Sequence, residues 1–135
     1  GYGTFEPVRV DDLSHHSVMP EQCDISAETA DILNNAKAEK RRVIAIGTTT
    51  TRAIESAVSI DGKILAGTRL ADITITPGYK FRVIDGLLTN FHLPQSSLLV
   101  LVSTFGGHEL IMNAYKHAVS EKYRFYSYGD CMLIL

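Results

Sequence analysis

Four threonines and an arginine follow a short apolar run, and they form the first group of residues that could bind a ligand. Residues 43–46 are apolar, Gly47 closes the run, and residues 48–51 and Arg52 follow. Ligands of α/β proteins bind at the carboxyl ends of strands, and a helix amino terminus offers N–H groups to anions. The hydroxyls and the guanidinium could therefore hold a carboxylate, a ribose or a phosphate. The other interpretation is that a threonine only caps the following helix.

A second group, residues 90–94, places an amide, an aromatic ring and an imidazole next to Pro94. The group lies between a predicted strand and a predicted buried helix, and loops positioned by rigid elements often carry function. Histidine is also the commonest general acid or base near neutral pH. His92 is therefore a candidate catalytic residue, although a lone loop histidine more often only hydrogen-bonds neighbouring backbone.

A third group, residues 123–130, contains four aromatic residues around Arg124. Such rings could stack on a nucleobase or lie against a cation. The alternative is an aromatic edge of the core, with Gly129 and Asp130 forming the turn before the last strand. Other chemistries have no matching pattern: no carboxylate pair has the spacing of a glycosidase or a metal site, and no nucleophile elbow is present.

The first half of the chain predicts helix, buried strand, turn and helix, which is α/β organisation. Ser26 is a predicted helix N-cap, and the helix should run to about Lys40. Its apolar face comprises Thr29, Ile32, Leu33 and Ala36. The continuous apolar run at residues 43–46 is typical of a strand covered on both faces in a parallel sheet. Residues 48–51 are then expected to form a turn, and residues 52–58 a helix.

The second half predicts a mixture of strands and two helices. Asp85 and Gly86 have the composition of a hairpin turn, and Gly106 and Gly107 should separate the two helices. The remaining predicted elements are strands at residues 73–76, 81–84, 87–89 and 131–135, and helices at residues 95–105 and 108–122. A strand at residues 1–10 and a loop at residues 11–20 complete one compact unit, residues 1–135.

The composition indicates a globular domain, with 135 residues of which 45% are hydrophobic and 21% charged. No apolar run approaches the roughly 20 residues that span a bilayer, and we expect no membrane or secretory segment. Cys23 and Cys131 make no zinc or redox pattern and are expected to be reduced, as in a cytoplasmic protein. The net charge of −2 gives no sign of a nucleic-acid partner. One basic cluster could either complement the dipole at the end of a helix or contact a phosphate. Its residues are Lys37, Lys40, Arg41 and Arg42.

Six segments, in order along the whole chain, resemble those of the S-adenosylmethionine:tRNA ribosyltransferase-isomerases of queuosine biosynthesis. They are Gly-x-Gly-Thr-Phe-x-Pro-Val at 1–8, Gly-Thr-Thr-x-x-Arg-x-x-Glu at 47–55, Pro-Gly-Tyr at 77–79, Thr-Asn-Phe-His-Leu-Pro at 89–94, Ala-Tyr…Tyr-Arg-Phe at 114–125, and Ser-Tyr-Gly-Asp at 127–130. One departure is that residues 67–72 stand where the family has a Gly-Trp element. The chain is similar to the C-terminal portion of such proteins only.

The resemblance implies a partial, barrel-like α/β catalytic domain with a mixed sheet, without the family's N-terminal half and inserted β-barrel domain. It implies transfer and isomerisation of the ribosyl part of S-adenosylmethionine onto 7-aminomethyl-7-deazaguanine at the wobble position of tRNA, giving epoxyqueuosine without a metal. His92 would be the catalytic base or proton shuttle. Substrate binding would involve Thr48, Thr49, Arg52, Asn90, Phe91, Tyr123, Arg124, Phe125 and Asp130.

Two alternatives to an active enzyme remain open at this point. The chain could be a non-catalytic module that binds a ligand or RNA. It could also be a structural remnant that self-associates, because a part of a larger domain leaves sheet edges and apolar surface uncovered. The missing N-terminal half is the other partner expected for that surface.

Overall fold

A computed structural model describes residues 17–135, so the predicted strand at residues 1–10 and most of the loop at residues 11–20 lie outside the described residues. The elements of the described part are β1 (Glu21–Ile25), α1 (Ala27–Ala38), β2 (Ile44–Ile46), α2 (Thr48–Ser56), β3 (Gly67–Ala71), β4 (Gly86–Asn90), α3 (Ser97–Gly106), α4 (His108–Ser120) and β5 (Cys131–Ile134). None of the described helices is long and apolar enough to cross a membrane.

The described strands form two sheets, and the larger one positions the site. Its order is β2-β4-β5, with β2 parallel and β5 antiparallel to β4. The predicted α/β class with a mixed sheet is therefore confirmed. Because β2 and β4 are parallel, their carboxyl ends lie at the same edge, and the register pairs Ile46 with Leu88. The N–H of Gly47 donates to the Leu88 carbonyl at 2.8 Å and carries the pairing one residue further.

The prediction that residues 43–46 are covered on both faces is wrong. Ala45 is buried, whereas Ile44 is partly exposed and Ile46 is 70% exposed. Alternate strand residues point to opposite faces, and the described core lies on one face only, where α2 packs against β2 and β4. The uncovered face also exposes Leu133 of β5.

The predicted strands at residues 73–76 and 81–84 are also wrong. Both segments have irregular backbone, although Ile75 and Val83 are buried in the core. The backbone N–H groups of residues 82–84 donate to the carboxylate of Glu55 instead of to a neighbouring strand. The apolar residues of these two segments therefore reflect burial in the core and not strand formation. The strand that pairs with β1 is β3, which the apolar pattern had not indicated.

The expected hairpin at Asp85 and Gly86 is replaced by a connection into β4. The N–H groups of both residues donate to the Val43 carbonyl, and the Asp85 carboxylate accepts from the Val43 N–H at 2.9 Å. These bonds fix where the parallel pair begins. Hydrogen bonds to Val43, just before β2, therefore hold the start of β4 in place, and not a hairpin with a preceding antiparallel strand.

The helices agree with prediction more closely. Ser26 caps α1 as expected, since its hydroxyl accepts from the Thr29 N–H at 3.1 Å. The predicted apolar face of α1 is only partly correct, because Thr29 and Ile32 are exposed whereas Ala36 is buried. Helices α3 and α4 are separated at Gly107, whose φ of 84° favours glycine. The expected turn at residues 48–51 is wrong, because α2 already begins at Thr48.

Candidate functional site

A cavity of about 250 Å³ lies at the edge where the parallel strands β2 and β4 end. Three separate segments form its walls: the start of α2, the stretch from the end of β4 to α3, and the loop before β5. The lining residues are Ile46, Gly47, Thr48, Thr49, Thr50, Thr89, Asn90, His92, Leu93, Ser96, Leu98, Tyr126 and Ser127. The carboxyl edge of a parallel pair is where ligands of α/β folds bind.

The start of α2 gives the cavity one electropositive wall. Gly47 is the N-cap residue, with a φ of 92°, and it provides no side-chain cap. The N–H groups of the first helical turn have no acceptor within the helix, and the helix dipole places partial positive charge there. The hydroxyl of Thr51 is turned back to the Gly47 carbonyl at 3.1 Å. The threonine-cap interpretation is therefore wrong, and this wall suits an anionic group.

His92 lies in a second wall of the cavity, and its ring and backbone are both fixed. One ring nitrogen, Nε2, lies 2.8 Å from the hydroxyl of Thr89, which is buried in β4. The backbone N–H of His92 donates to the hydroxyl oxygen of Tyr115 at 2.8 Å. Burial lowers the pKa of the His92 imidazole to about 4, because desolvation disfavours the charged form. The ring is therefore neutral at neutral pH.

An aromatic cluster behind the cavity supports the His92 loop. The buried ring of Phe91 lies 5.3 Å from Tyr115, 5.8 Å from Tyr123 and 5.4 Å from Phe125, measured between ring centroids. The contacts with Tyr115 and Tyr123 are edge-to-face and that with Phe125 is tilted. Edge-to-face contacts at such distances stabilise the packing beyond simple burial. Phe91, Tyr123 and Phe125 are thus placed behind the cavity wall and not among its lining residues.

The loop before β5 closes the third side of the cavity. The side chains of Arg124 and Asp130 pair at 3.1 Å, and the Asp130 carboxylate also accepts from the Arg124 backbone N–H at 2.8 Å. Hydrogen bonding to Arg124 lowers the pKa of the Asp130 carboxyl. The N–H of Tyr126 donates to the Phe91 carbonyl at 3.0 Å, which docks the loop on the His92 segment. These contacts present Tyr126 and Ser127 to the cavity.

Arg52, in contrast, points away from the cavity into the body of the chain. Its side chain is almost fully buried, and its guanidinium donates to the carbonyls of Ala71 at 2.9 Å, Met19 at 3.2 Å and Ile73 at 3.2 Å. It also lies 3.4 Å from a carboxylate oxygen of Glu21. Burial lowers the pKa of Arg52, and the charge of Glu21 opposes that effect. The arginine thus joins α2 to the β1–β3 sheet.

Of the residues predicted for the site, the structure brings Thr48, Thr49, Asn90 and His92 together at the cavity. The others lie behind it, brace its loop or point elsewhere: Arg52, Phe91, Tyr123, Arg124, Phe125 and Asp130. Sequence reasoning did not select several lining residues, among them Thr89, Ser96, Tyr126 and Ser127. The sequence did give a signal for Tyr126 and Ser127, because both lie inside the aromatic group at residues 123–130. Within residues 17–135, no group of three or more His, Cys, Asp or Glu residues could hold a metal ion.

Comparison with known proteins places these segments in a family. A family model described as "Queuosine biosynthesis protein" matches residues 1–134. The S-adenosylmethionine:tRNA ribosyltransferase-isomerase of Syntrophotalea carbinolica is 54% identical over 135 residues, which is all of this chain and 39% of that protein. Its counterpart in Cupriavidus metallidurans is 54% identical over 134 residues, 99% of this chain and 38% of that protein.

A solved structure agrees with these matches. The crystal structure of S-adenosylmethionine tRNA ribosyltransferase from Thermotoga maritima has a TM-score of 0.76 and 39% identity, over 84% of this chain and 40% of that one. The chain thus spans about two fifths of the length of the relatives it matches. The motif resemblance is confirmed from one end of the chain to the other, and the chain belongs to the queuosine biosynthesis protein family.

Proposed function

We propose that the chain provides the S-adenosylmethionine-binding wall of an S-adenosylmethionine:tRNA ribosyltransferase-isomerase. The observation that supports this most strongly is the convergence of three family-like segments, which are distant in sequence, on one cavity at the carboxyl edge of β2 and β4. The reaction is inferred from the names of the relatives, and the side chains that line the cavity have chemistry that suits this reaction.

The size of the cavity suits one end of the substrate. Pockets for drug-sized ligands hold roughly 300–1,000 Å³, and this cavity of about 250 Å³ lies just below that range. We assign it the methionine and sulfonium end. The methionine carboxylate would lie at the uncapped amino terminus of α2, where N–H groups and the helix dipole favour an anion. The hydroxyls of Thr48 and Thr49 would hydrogen-bond that carboxylate or the ribose.

The sulfonium needs a neighbour that stabilises positive charge. None of the described residues that line the cavity is Asp or Glu. Tyr126 is the aromatic residue among them, and a cation over a tyrosine ring is stabilised by about 0.5–2 kcal/mol. We therefore assign the sulfonium to the ring of Tyr126.

His92 is assigned to proton transfer at the carbon next to the sulfonium. With a pKa of about 4, the imidazole is unprotonated at neutral pH and is free to accept a proton. The same low pKa makes the protonated ring a strong acid that releases its proton readily. His92 therefore suits a shuttle that passes the proton on better than a base that retains it. The hydroxyl of Thr89 would hold the ring in position.

The remaining predicted residues are assigned to supporting roles. Arg52 holds the backbone against which α2 packs, and Phe91, Tyr123 and Phe125 hold the His92 loop from behind. Arg124 and Asp130 keep the Tyr126 loop closed. Asn90 lines the cavity, and its amide lies 3.4 Å from the Asp130 carbonyl, so it connects the two loops.

We also propose how the chain would fit into a complete enzyme and what it would meet there. The sheet β2-β4-β5 would be one part of a barrel-like catalytic domain, and its exposed apolar face would pack against the remaining length of such an enzyme. The tRNA wobble position would supply the acceptor amine. Because tRNA is the partner, the proposal places the chain in the cytoplasm.

Release of adenine from S-adenosylmethionine in the presence of precursor tRNA tests this function. The assay is run with the chain alone and with the N-terminal part of the Syntrophotalea carbinolica relative supplied in trans. Release that is lost in His92→Gln and kept in Thr68→Val, a change at an exposed threonine of β3, is the expected result. No release under either condition contradicts catalysis, and binding of S-adenosylmethionine without release would favour a ligand-binding module.

A further inference from the structure

The aromatic residues of the loop before β5 occupy three different environments. Tyr123 and Phe125 pack against Phe91, and Tyr126 lines the cavity. Tyr128, two residues further, is 98% exposed. Among residues 17–135, no hydrogen bond or ring contact involves the Tyr128 side chain. Packing among the described residues therefore does not explain this large exposed ring.

The segment that displays Tyr128 is a closed turn. The N–H of Asp130 donates to the Arg124 carbonyl at 2.8 Å, and the N–H of Gly129 donates to the Tyr126 carbonyl at 2.9 Å. The turn is so tight that a Cβ atom on Gly129 would lie 2.3 Å from the Arg124 carbonyl oxygen. The backbone beneath Tyr128 is therefore already ordered. A partner that binds the ring would have to immobilise only its two side-chain torsions, which keeps the entropic cost low.

The position of the ring indicates what it binds. Ser127 lines the cavity, and the next Cα atom is about 3.8 Å further along the chain. Tyr128 thus directly follows a residue that lines the cavity, and its ring is exposed next to that wall. Unpaired RNA bases are recognised by stacking on aromatic side chains. Stacking does not depend on basic charge, which agrees with the net charge of −2.

We propose that Tyr128 is a stacking platform for an unpaired nucleotide of the substrate RNA, adjacent to the nucleotide that enters the cavity. The inference rests on the proposed function for the identity of the RNA. It adds a residue to the site and a requirement on the substrate: the nucleotide next to the modified one has to be unpaired.

Fluorescence anisotropy with labelled RNA tests the platform. The probes are a tRNA anticodon stem-loop and an uninterrupted duplex made from the same stem. Base-aromatic stacking contributes roughly 1–3 kcal/mol per base, so Tyr128→Ala should weaken stem-loop binding about 5- to 150-fold. Tyr128→Phe, which keeps the ring, should restore most of the affinity. Ile60→Ala is the matched control, since Ile60 is equally exposed and distant in sequence.

Three results would overturn the inference: no binding of the stem-loop by the wild-type chain, equal affinity of the wild type and Tyr128→Ala, or equal losses for the stem-loop and the duplex. The last would indicate a general effect on the surface and not stacking on an unpaired base. Titration of the wild type with S-adenosylmethionine is run in parallel. Its failure would count against the proposed function, whereas Tyr128-dependent binding of the stem-loop would still support the platform.

Discussion

Glu55 provides the most quantitative test of how the site is held. It is the last residue of the Gly-Thr-Thr-x-x-Arg-x-x-Glu segment, and its side chain is only 4% exposed. Its carboxylate accepts from the backbone N–H groups of Arg82 at 2.9 Å, Val83 at 2.9 Å and Ile84 at 3.1 Å, and from the hydroxyl of Tyr79 at 3.1 Å. One side chain of α2 therefore replaces the strand pairing that residues 81–84 lack.

Glu55→Gln should remove about 1–3 kcal/mol from the free energy of unfolding. The amide keeps one acceptor oxygen and places an NH2 group where the second oxygen accepts from the Arg82 N–H and the Tyr79 hydroxyl. The hydroxyl can rotate and accept from the NH2 group, whereas the Arg82 N–H loses its shorter hydrogen bond. Loss of the acceptor of a buried donor costs about 1–3 kcal/mol, and relief from burying a charge offsets part of that cost. Urea denaturation followed by circular dichroism measures the change.

Glu39→Gln is the matched control for this experiment. Glu39 pairs with Arg41, but both side chains are largely exposed, and exposed pairs contribute about 0–1 kcal/mol. In Glu55→Gln, hydrogen exchange should also accelerate at the amides of residues 82–84. A loss below about 1 kcal/mol, with unchanged exchange at those amides, would refute the conclusion that Glu55 anchors the segment.

Three further predictions follow from the same contacts. Burial lowers the pKa of His92 from 6.5 to about 4, so the contribution of its neutral ring to stability is complete above pH 6.5 and is lost as the pH falls toward 4. This contribution amounts to about 1–2 kcal/mol after allowing for partial exposure. If the pH dependence of unfolding is the same in His92→Gln as in the wild type, this prediction is contradicted. Arg52→Met should cost about 3–5 kcal/mol, since it removes the buried guanidinium that contacts three backbone carbonyls and the Glu21 carboxylate, whereas a cost similar to that of Arg42→Met, an exposed control, would argue against that role. Gly129→Ala should open the Tyr126 loop and weaken S-adenosylmethionine binding in calorimetry, and wild-type affinity would show that the tight turn is not needed.

The sequence predicted the elements whose signals are local. Ser26 capped α1 as expected, and Gly107 ended one helix and began the next. The run at residues 43–46 was correctly predicted to be a strand, which the structure places at Ile44–Ile46, although the cover on both faces from which its parallel pairing was predicted is wrong. These features depend on residues within a few positions of one another.

What the sequence could not predict depended on distant partners. Residues 73–76 and 81–84 have the composition of strands, but Arg52 and Glu55 bind their backbone groups from a helix more than 20 positions away in the chain. The orientation of Arg52 was missed because α2 begins at Thr48, about one turn earlier than predicted. The neutral state of His92 likewise results from burial, which its own segment does not reveal.

The most direct test of the central claim is a titration of the isotope-labelled chain with S-adenosylmethionine, followed by the amide signals in NMR spectra. Saturable shifts at Thr48, Thr49 and Thr50, together with His92, are the expected result if the cavity at the ends of β2 and β4 is the binding site. Saturable shifts confined to residues outside the cavity, such as Met112 and its neighbours in α4, or the absence of any shift, would contradict the claim.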